Sequence, residues 1–292
     1  MAVDVAAAPR ARRSRGSGNG VVRLLVILII MAVVLYPLVW MLGTSLKSAT
    51  EVNSNKGLLP EQFTPGNYPD GWTALPDVTF GRFFLNSAFI ALAVVVANAL
   101  SCLLTAYAFA RLQFPLRKFW FAIMIGTLLL PSHVLLVPQY MLFNKFGWVN
   151  TPLPLIVPKL LATEAFFIFL MVQFMRGIPR ELDEAAKIDG CGPYAVFWHV
   201  ILPLSRPALV TTAIFSFIWT WNDFFTQLIY LSGGVDSYTV PVGLRMFQDS
   251  GGENQIGPMF AMSVLSLVPV FLFFLVFQRL IVDGINTSGI KG

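Results

Sequence analysis

EAAKIDGCGPYAVFWHVILP, residues 184–203, is a polar stretch punctuated by Gly190, Gly192, Pro193 and Pro203 and set between two long apolar runs. With Glu181, Asp183, Glu184, Lys187 and Asp189 beside Leu182, Ala185 and Ala186, it holds more docking chemistry than a turn between two helices needs. Its grammar is helix, turn, helix. Pro179 suits a first helical position, the acids fall in the opening turns where the helix dipole favours negative charge, and Gly190 suits a left-handed cap. Pro193 then opens a second helix over 194–202, which Pro203 stops. At helical spacing Leu182, Ala185 and Ala186 share a face whose small side chains would admit another surface. Glu184, beside them, is placed to take a charge-assisted bond from an Arg or Lys. Periodicity alone fits a solvated amphipathic helix with no partner equally well.

The rest of the chain fixes its solvent. Of 292 residues 56% are hydrophobic and 12% charged, against about 25% charged in soluble domains, and the mean hydropathy is +0.71. This is an integral membrane protein. Apolar stretches run over 24–43, 83–110, 119–144, 160–175, 208–229 and 260–278, with no charge inside them except Glu164 and Asp223. At about 1.5 Å per residue, most can cross a hydrocarbon core of about 30 Å. The fourth is the least clean, because 151–158 is proline-rich and Lys159 and Glu164 lie near its start. The expected fold is all-α, with six transmembrane helices over 21–282 and a polar loop over 176–207.

The flanks read as tails. AAAPRARRSRGSGNG ends a basic, Gly/Ser-rich stretch over 1–20 that is expected to be a disordered cytoplasmic tail, and 283–292 a second cytoplasmic tail. A cleaved signal peptide is the other reading of the N-terminus. The following apolar run is long and lacks an early A-x-A site, which favours an uncleaved first span.

Orientation follows from the basic residues. With the N-terminus inside, fourteen of the 20 Lys and Arg fall on the cytoplasmic side and six, Lys47, Lys56, Arg82, Lys145, Lys159 and Arg245, outside. Both termini and the 176–207 loop are therefore expected in the cytoplasm. The net charge of +5 is scattered over separate juxtamembrane segments, which argues against nucleic acid as a partner.

Catalytic and metal chemistry find little footing. Cys102 lies in the second apolar stretch and Cys191 in the loop, neither in an oxidising setting, so no disulfide or metal site is implied. His133 and His199 are far apart without ligand-spaced acids or thiols and read as packed or interfacial residues. No Gly-Lys dipeptide occurs, so the G-x-x-x-x-G-K-[ST] phosphate cradle is absent and nucleotide hydrolysis must belong to another polypeptide. Pro131 and Pro138 interrupt the third stretch; an ordinary kink and a lining of a pathway are both open.

The loop resembles the EAA loop of ABC-importer permeases, whose pattern is EAA, three residues, G, nine residues, I-x-L-P. Glu184, Ala185, Ala186 and Gly190 match, nine residues follow, and Val200, Ile201, Leu202 and Pro203 complete it with Val in place of Ile. The likeness extends to Trp221-Asn222-Asp223-Phe224, Thr239-Val240-Pro241-Val242-Gly243, Gly147-Trp148-Val149-Asn150-Thr151 and the C-terminal Gly289-Ile290-Lys291-Gly292. These are similar to the carbohydrate-uptake branch, and within it to the G-type permease of maltose systems. The long basic N-terminus departs from that pattern.

The resemblance implies a bacterial inner-membrane permease that pairs with a second six-span permease. Two ABC ATPase subunits, which bind ATP and Mg, would grip the EAA helices, and an extracytoplasmic solute-binding protein would deliver a sugar. This chain would bind no cofactor of its own. Glu184, Ala185, Ala186, Asp189, Gly190, Leu202 and Pro203 would couple to the ATPase. Gly289, Ile290, Lys291 and Gly292 would reach into the ATPase dimer or, on the blander reading, fray.

Thr212, Ser216, Thr220, Asp223 and Gln227 fall down one face of the fifth stretch, with Trp219 and Asn222 adjoining. An acid in a span is costly and faces a cavity or a partner; aromatic faces beside amides and acids suit sugars. Ser216, Trp219, Thr220, Asn222, Asp223 and Gln227 are thus a candidate substrate pathway. The same stripe equally suits packing against the second permease. Glycerol-3-phosphate or a polyol is an alternative cargo. A stand-alone secondary transporter would carry coupling carboxylates in more spans, and a membrane enzyme would need paired catalytic groups.

Overall fold

The computed structural model describes residues 17–54, 57–75, 78–249 and 255–288. The basic residues up to 16, and the tail residues Gly289, Ile290, Lys291 and Gly292, lie outside the described residues. In chain order the helices are α1 Ser17–Thr44, α2 Ala49–Ser54, α3 Asn67–Trp72, α4 Phe80–Arg111, α5 Arg117–Thr127, α6 Ser132–Lys145, α7 Leu153–Leu160 and α8 Ala165–Gly177. They continue as α9 Glu181–Ile188, α10 Pro193–Val196, α11 Leu202–Leu204, α12 Arg206–Asn222, α13 Phe225–Tyr230, α14 Val240–Asp249 and α15 Ile256–Ser288. Among the described residues there is no strand.

Among the described residues four segments are long and apolar enough to cross a membrane: Gly20–Thr44, Phe80–Arg111, Leu153–Gly177 and Ile256–Gln278. A fifth joins them if Pro193–Leu204 and Arg206–Asn222, bent by 70°, count as one span. The outer helices overrun the expected tails. Residues 17–20 belong to α1 and 283–288 to α15, because a long apolar helix, once nucleated, extends through flanking residues at little cost.

α4 is the axis of the bundle. It packs against α12, α8, α7 and α14, and 44% of its apolar window is buried, against 0% for α1 and 11% for Ile256–Gln278. Its sequence explains this. Ser87, Ala91, Ala97, Ser101, Cys102, Ala106 and Ala110 are all buried, and small residues of this kind let helix backbones approach closely where lipid gives no hydrophobic drive to association.

Around that axis the helices break. The 119–144 stretch is split into α5 and α6, of 11 and 14 residues. Pro131, which has no N–H to donate and disfavours helix in the residue before it, separates them, whereas Pro138 stays inside α6. The fourth span starts at Leu153, not at 160, because Pro152 and Pro154 are tolerated at a helix start. It is interrupted at 161–164, where Ala162 has a φ of 57°. Lys159 and Glu164 therefore lie inside the span and not at its mouth, which corrects the outside placement given to Lys159. Between α12 and α13 the ladder opens at Asp223 and Phe224.

Candidate functional site

The three breaks meet at one cavity. Leu128 and Leu130 from the first, Thr163 and Glu164 from the second, and Asp223 from the third all line a space of about 860 Å³. Irregular backbone survives at membrane depth only where protein covers it or it lines a cavity, and here it does the latter. Ser216, Trp219, Thr220, Asn222, Asp223 and Gln227, the candidate pathway residues, all border this space. Thr212, from the same stripe, is fully buried.

Their roles differ. Trp219 is 47% exposed, and its indole stacks on Phe167 at 5.0 Å and leans on Phe166 at 5.3 Å. The cavity thus has a rigid aromatic shelf. Asn222 donates to Ile218 O at 2.8 Å, and Gln227, almost wholly buried, spans the break by donating to Thr220 O at 2.7 Å. Ser216 Oγ accepts from Asn98 Nδ2 at 2.8 Å, which links α12 to α4. Gln227, Ser216 and Thr212 thus serve the fold, while Trp219, Asn222 and Asp223 keep surface that a solute can reach.

Sequence reasoning missed Lys159, Glu164, His133 and Asn98 as lining residues. Lys159 Nζ and Glu164 Oε1 form an ion pair across the second break, so each charge is neutralised within the wall. The signal was present in a Lys and a Glu five residues apart within an apolar run. His133 stands edge-on to Phe225 at 5.3 Å.

The polar loop forms the second feature. α9 begins at Glu181, two residues after Pro179, and carries Glu181, Asp183 and Glu184 in its first turn. Gly190 has a φ of +84°; its N–H donates to Lys187 O at 3.0 Å, and Cys191 N–H to Ala186 O at 2.9 Å. This pair of bonds is a Schellman cap, and the left-handed residue at its centre is best a glycine.

The second helix of the loop is longer than 194–202. α10 passes through a π-helical turn, Phe197–Ile201, into α11. Pro203 does not stop it, because the widened turn redirects the ladder, with Leu202 N–H donating to Phe197 O.

Glu184, Ala185 and Asp189 are exposed, as are Leu182, Ile188 and Tyr194, the last two at 87% and 85%. Ala186 and Leu202 instead pack on the chain's own core of Ala106, Met175 and Ile201. The small residue at 186 thus seats α9 on its own bundle. Asp183, read from sequence as docking chemistry and a dipole partner, is buried against Arg111 at 3.4 Å.

The other family-like motifs hold the opposite end together. Val240 N–H donates to Ser87 Oγ at 2.9 Å, and Asn86 Nδ2 donates to Asp236 O and Tyr238 O at 2.7 and 2.8 Å. Trp148 stacks on Phe143 at 5.6 Å, and Asn150 N–H donates to Tyr230 O at 2.8 Å. Among the described residues no cluster of His, Cys, Asp and Glu could hold a metal ion.

A helical bundle with broken spans, a cavity and a capped polar loop suits a transport permease, and the family to which the chain is similar is one. The family profile described as binding-protein-dependent transport system inner membrane component matches residues 98–286. The chain belongs to that family.

Among its relatives, the diacetylchitobiose uptake system permease protein NgcG of Streptomyces coelicolor is 32% identical over 255 residues, 87% of this chain and 83% of that protein. The trehalose/maltose transport system permease protein MalG of Thermococcus litoralis is 33% identical over 266 residues, 90% and 94% of the two chains. A crystal structure of a bacterial ABC transporter involved in import of the acidic polysaccharide alginate contains a chain of the same fold. Its TM-score is 0.78 at 22% identity, covering 93% of this chain and 99% of that one.

Proposed function

We propose that this chain is one permease half of an ATP-driven sugar importer, forming the translocation pathway with a second six-span permease. The observation that carries this reading is the cavity: three helix breaks, a half-exposed indole shelf and amide and acid groups converge on a space of about 860 Å³. Sugars present apolar C–H faces to aromatics and hydroxyl edges to amides and acids. Names of relatives that transport diacetylchitobiose and trehalose or maltose support a disaccharide or oligosaccharide cargo.

On this reading α5 with α6 makes the third span and α12 with α13 the fifth, giving six. Both termini and α9 then lie in the cytoplasm of a bacterial cell. One of two ATPase subunits seats on α9 through exposed Glu184 and Ala185, the other on the second permease, with Asp189 and Gly190 shaping the end of α9 and Leu202 and Pro203 bracing the corner behind it. Gly289, Ile290, Lys291 and Gly292 extend toward the ATPase dimer. Closure of that dimer on ATP turns the cavity toward sugar delivered by an extracytoplasmic binding protein, and hydrolysis resets it.

The test is reconstitution in proteoliposomes with its second permease, ATPase and binding protein. ATP-dependent uptake of a radiolabelled disaccharide or oligosaccharide is expected. Uptake of glycerol-3-phosphate with none of any sugar would overturn the cargo, and uptake without ATPase would overturn the class.

A further inference from the structure

We infer that α4 is the rod that carries motion from the α9 loop to the cavity, and that Arg111 and Tyr107 are positioning residues that fasten the loop to it. The inference rests on the importer reading above and concerns how the coupling is built into this chain.

The fastening is at the last turns of α4. Arg111 Nη2 donates to Ile178 O at 2.8 Å, just ahead of α9. Arg111 Nε stands 3.4 Å from Asp183 Oδ2 on α9, with the two side chains only 4% and 12% exposed. Four residues earlier, Tyr107 Oη donates to Pro193 O at 2.8 Å, beyond α9. One helix end thus holds the loop before, within and after its capped helix. An ion pair removed from water resists separation, because pulling it apart leaves an uncompensated buried charge. Neither Arg111 Nε nor Asp183 Oδ1 has a hydrogen-bond partner, so within this buried pair it is charge that holds the carboxylate to the guanidinium.

The opposite attachment is on the cavity wall. Asn98, which lines the cavity, donates to Ser216 on α12 at 2.8 Å. Thirteen residues separate Asn98 from Arg111, about 20 Å of helix at about 1.5 Å per residue. Over that length α4 has neither proline nor break, whereas its neighbours α7 with α8 and α12 with α13 are interrupted at the depth of the cavity. Interrupted helices absorb displacement at the break, and a continuous, tightly packed one passes it on. α8 and α12 also run unbroken between the loop and the cavity but end at it, whereas α4 continues past the cavity as one helix to Phe80.

The experiment measures sugar molecules imported per ATP hydrolysed by the complete reconstituted transporter. Arg111→Ala and Asp183→Ala are expected to lower that ratio at least fivefold while the ATPase still turns over, and Tyr107→Phe, which deletes one hydroxyl, two- to threefold. The charge exchange Arg111→Asp with Asp183→Arg is expected to recover at least half of the lost coupling.

If the alanine variants do not assemble, Arg111→Lys and Tyr107→Phe decide. An unchanged ratio in both overturns the inference, as does equal loss of hydrolysis and uptake in every variant. A wild-type complex that imports no sugar would instead overturn the importer reading, so the two failures are distinguishable.

Discussion

Asp223 Oδ1 accepts a hydrogen bond from the backbone N–H of Thr226 at 3.1 Å, so the acid at the break in the fifth apolar stretch also fastens the first turn of α13. Two duties of one carboxylate can be separated by substitution. Asp223→Asn keeps the accepting oxygen and should leave thermal stability near wild type, whereas Asp223→Ala should cost about 1 kcal/mol, as lost helix caps do. If the charge serves sugar as well, Asp223→Asn lowers uptake at least fivefold in an assembled complex. Melting curves in detergent and uptake in proteoliposomes are the paired measurements, and unchanged uptake in the Asn variant would remove the acid from the pathway.

Trp219 offers nearly half its surface to the cavity while Phe167 stacks beneath it. Trp219→Ala removes the shelf but touches no part of the loop. The apparent KM for sugar should rise about tenfold, equivalent to ~1.4 kcal/mol, with basal ATP hydrolysis unaltered. A KM unchanged within twofold would assign the indole to packing alone.

Gly190 sits in open space, so a substitution there meets no steric contact, only an unfavourable φ of +84°. Gly190→Ala should therefore cost about 1–2 kcal/mol locally, and uptake should persist at a reduced rate. Gly190→Pro fixes φ near −65° and removes the N–H given to Lys187, and should abolish ATPase capture and uptake. Glu184→Lys, on an exposed position, should do the same while the permease remains in the membrane. Co-purification of the ATPase reads both variants, and normal capture by either would refute docking at α9.

Gly243 faces the Phe83 ring so closely that an added Cβ would lie 2.2 Å from Cδ2. Gly243→Ala overpacks a buried contact and should destabilise by ~1–3 kcal/mol. Phe83→Leu in the same chain should restore part of the loss, which a thermal-shift double-mutant cycle would detect as non-additivity.

Lys159 and Glu164 are each about a quarter to a third exposed, so their attraction is partly screened. Lys159→Met or Glu164→Gln alone strands a charge in the cavity wall. Each should lower the melting temperature more than the double substitution does, and a double variant worse than either single would exclude mutual neutralisation as the pair's role.

The sequence made the apolar segments and the polar loop legible, since hydropathy and the EAA spacing are local signals. The loop's glycine cap was legible too, because a left-handed residue after a helix has one cheap solution. Lys159 and Glu164 were misplaced for a physical reason: a charge in an apolar run reads as its edge unless the partner that cancels it is known. Asp183 was credited to docking and the helix dipole because nothing in the loop names Arg111, which arrives from α4, far upstream. The breaks were half visible. Pro131 announced one, but the break before Glu164 places a non-glycine residue, Ala162, at positive φ, which no local pattern requires.

α1 is nearly bare of contacts with its own chain, apart from its last turn, where Gly43 faces the backbone of Leu58, and α15, against which Trp40 meets Phe260 edge-on at 5.3 Å. In folding, α1 therefore gains its main partner only once the distant α15 has formed. The fold closes like a clasp, Trp40 meeting a ring that lies far along the chain at Phe260. A chain cut short before Ile256 would lack that clasp and leave the ring of Trp40 without its partner.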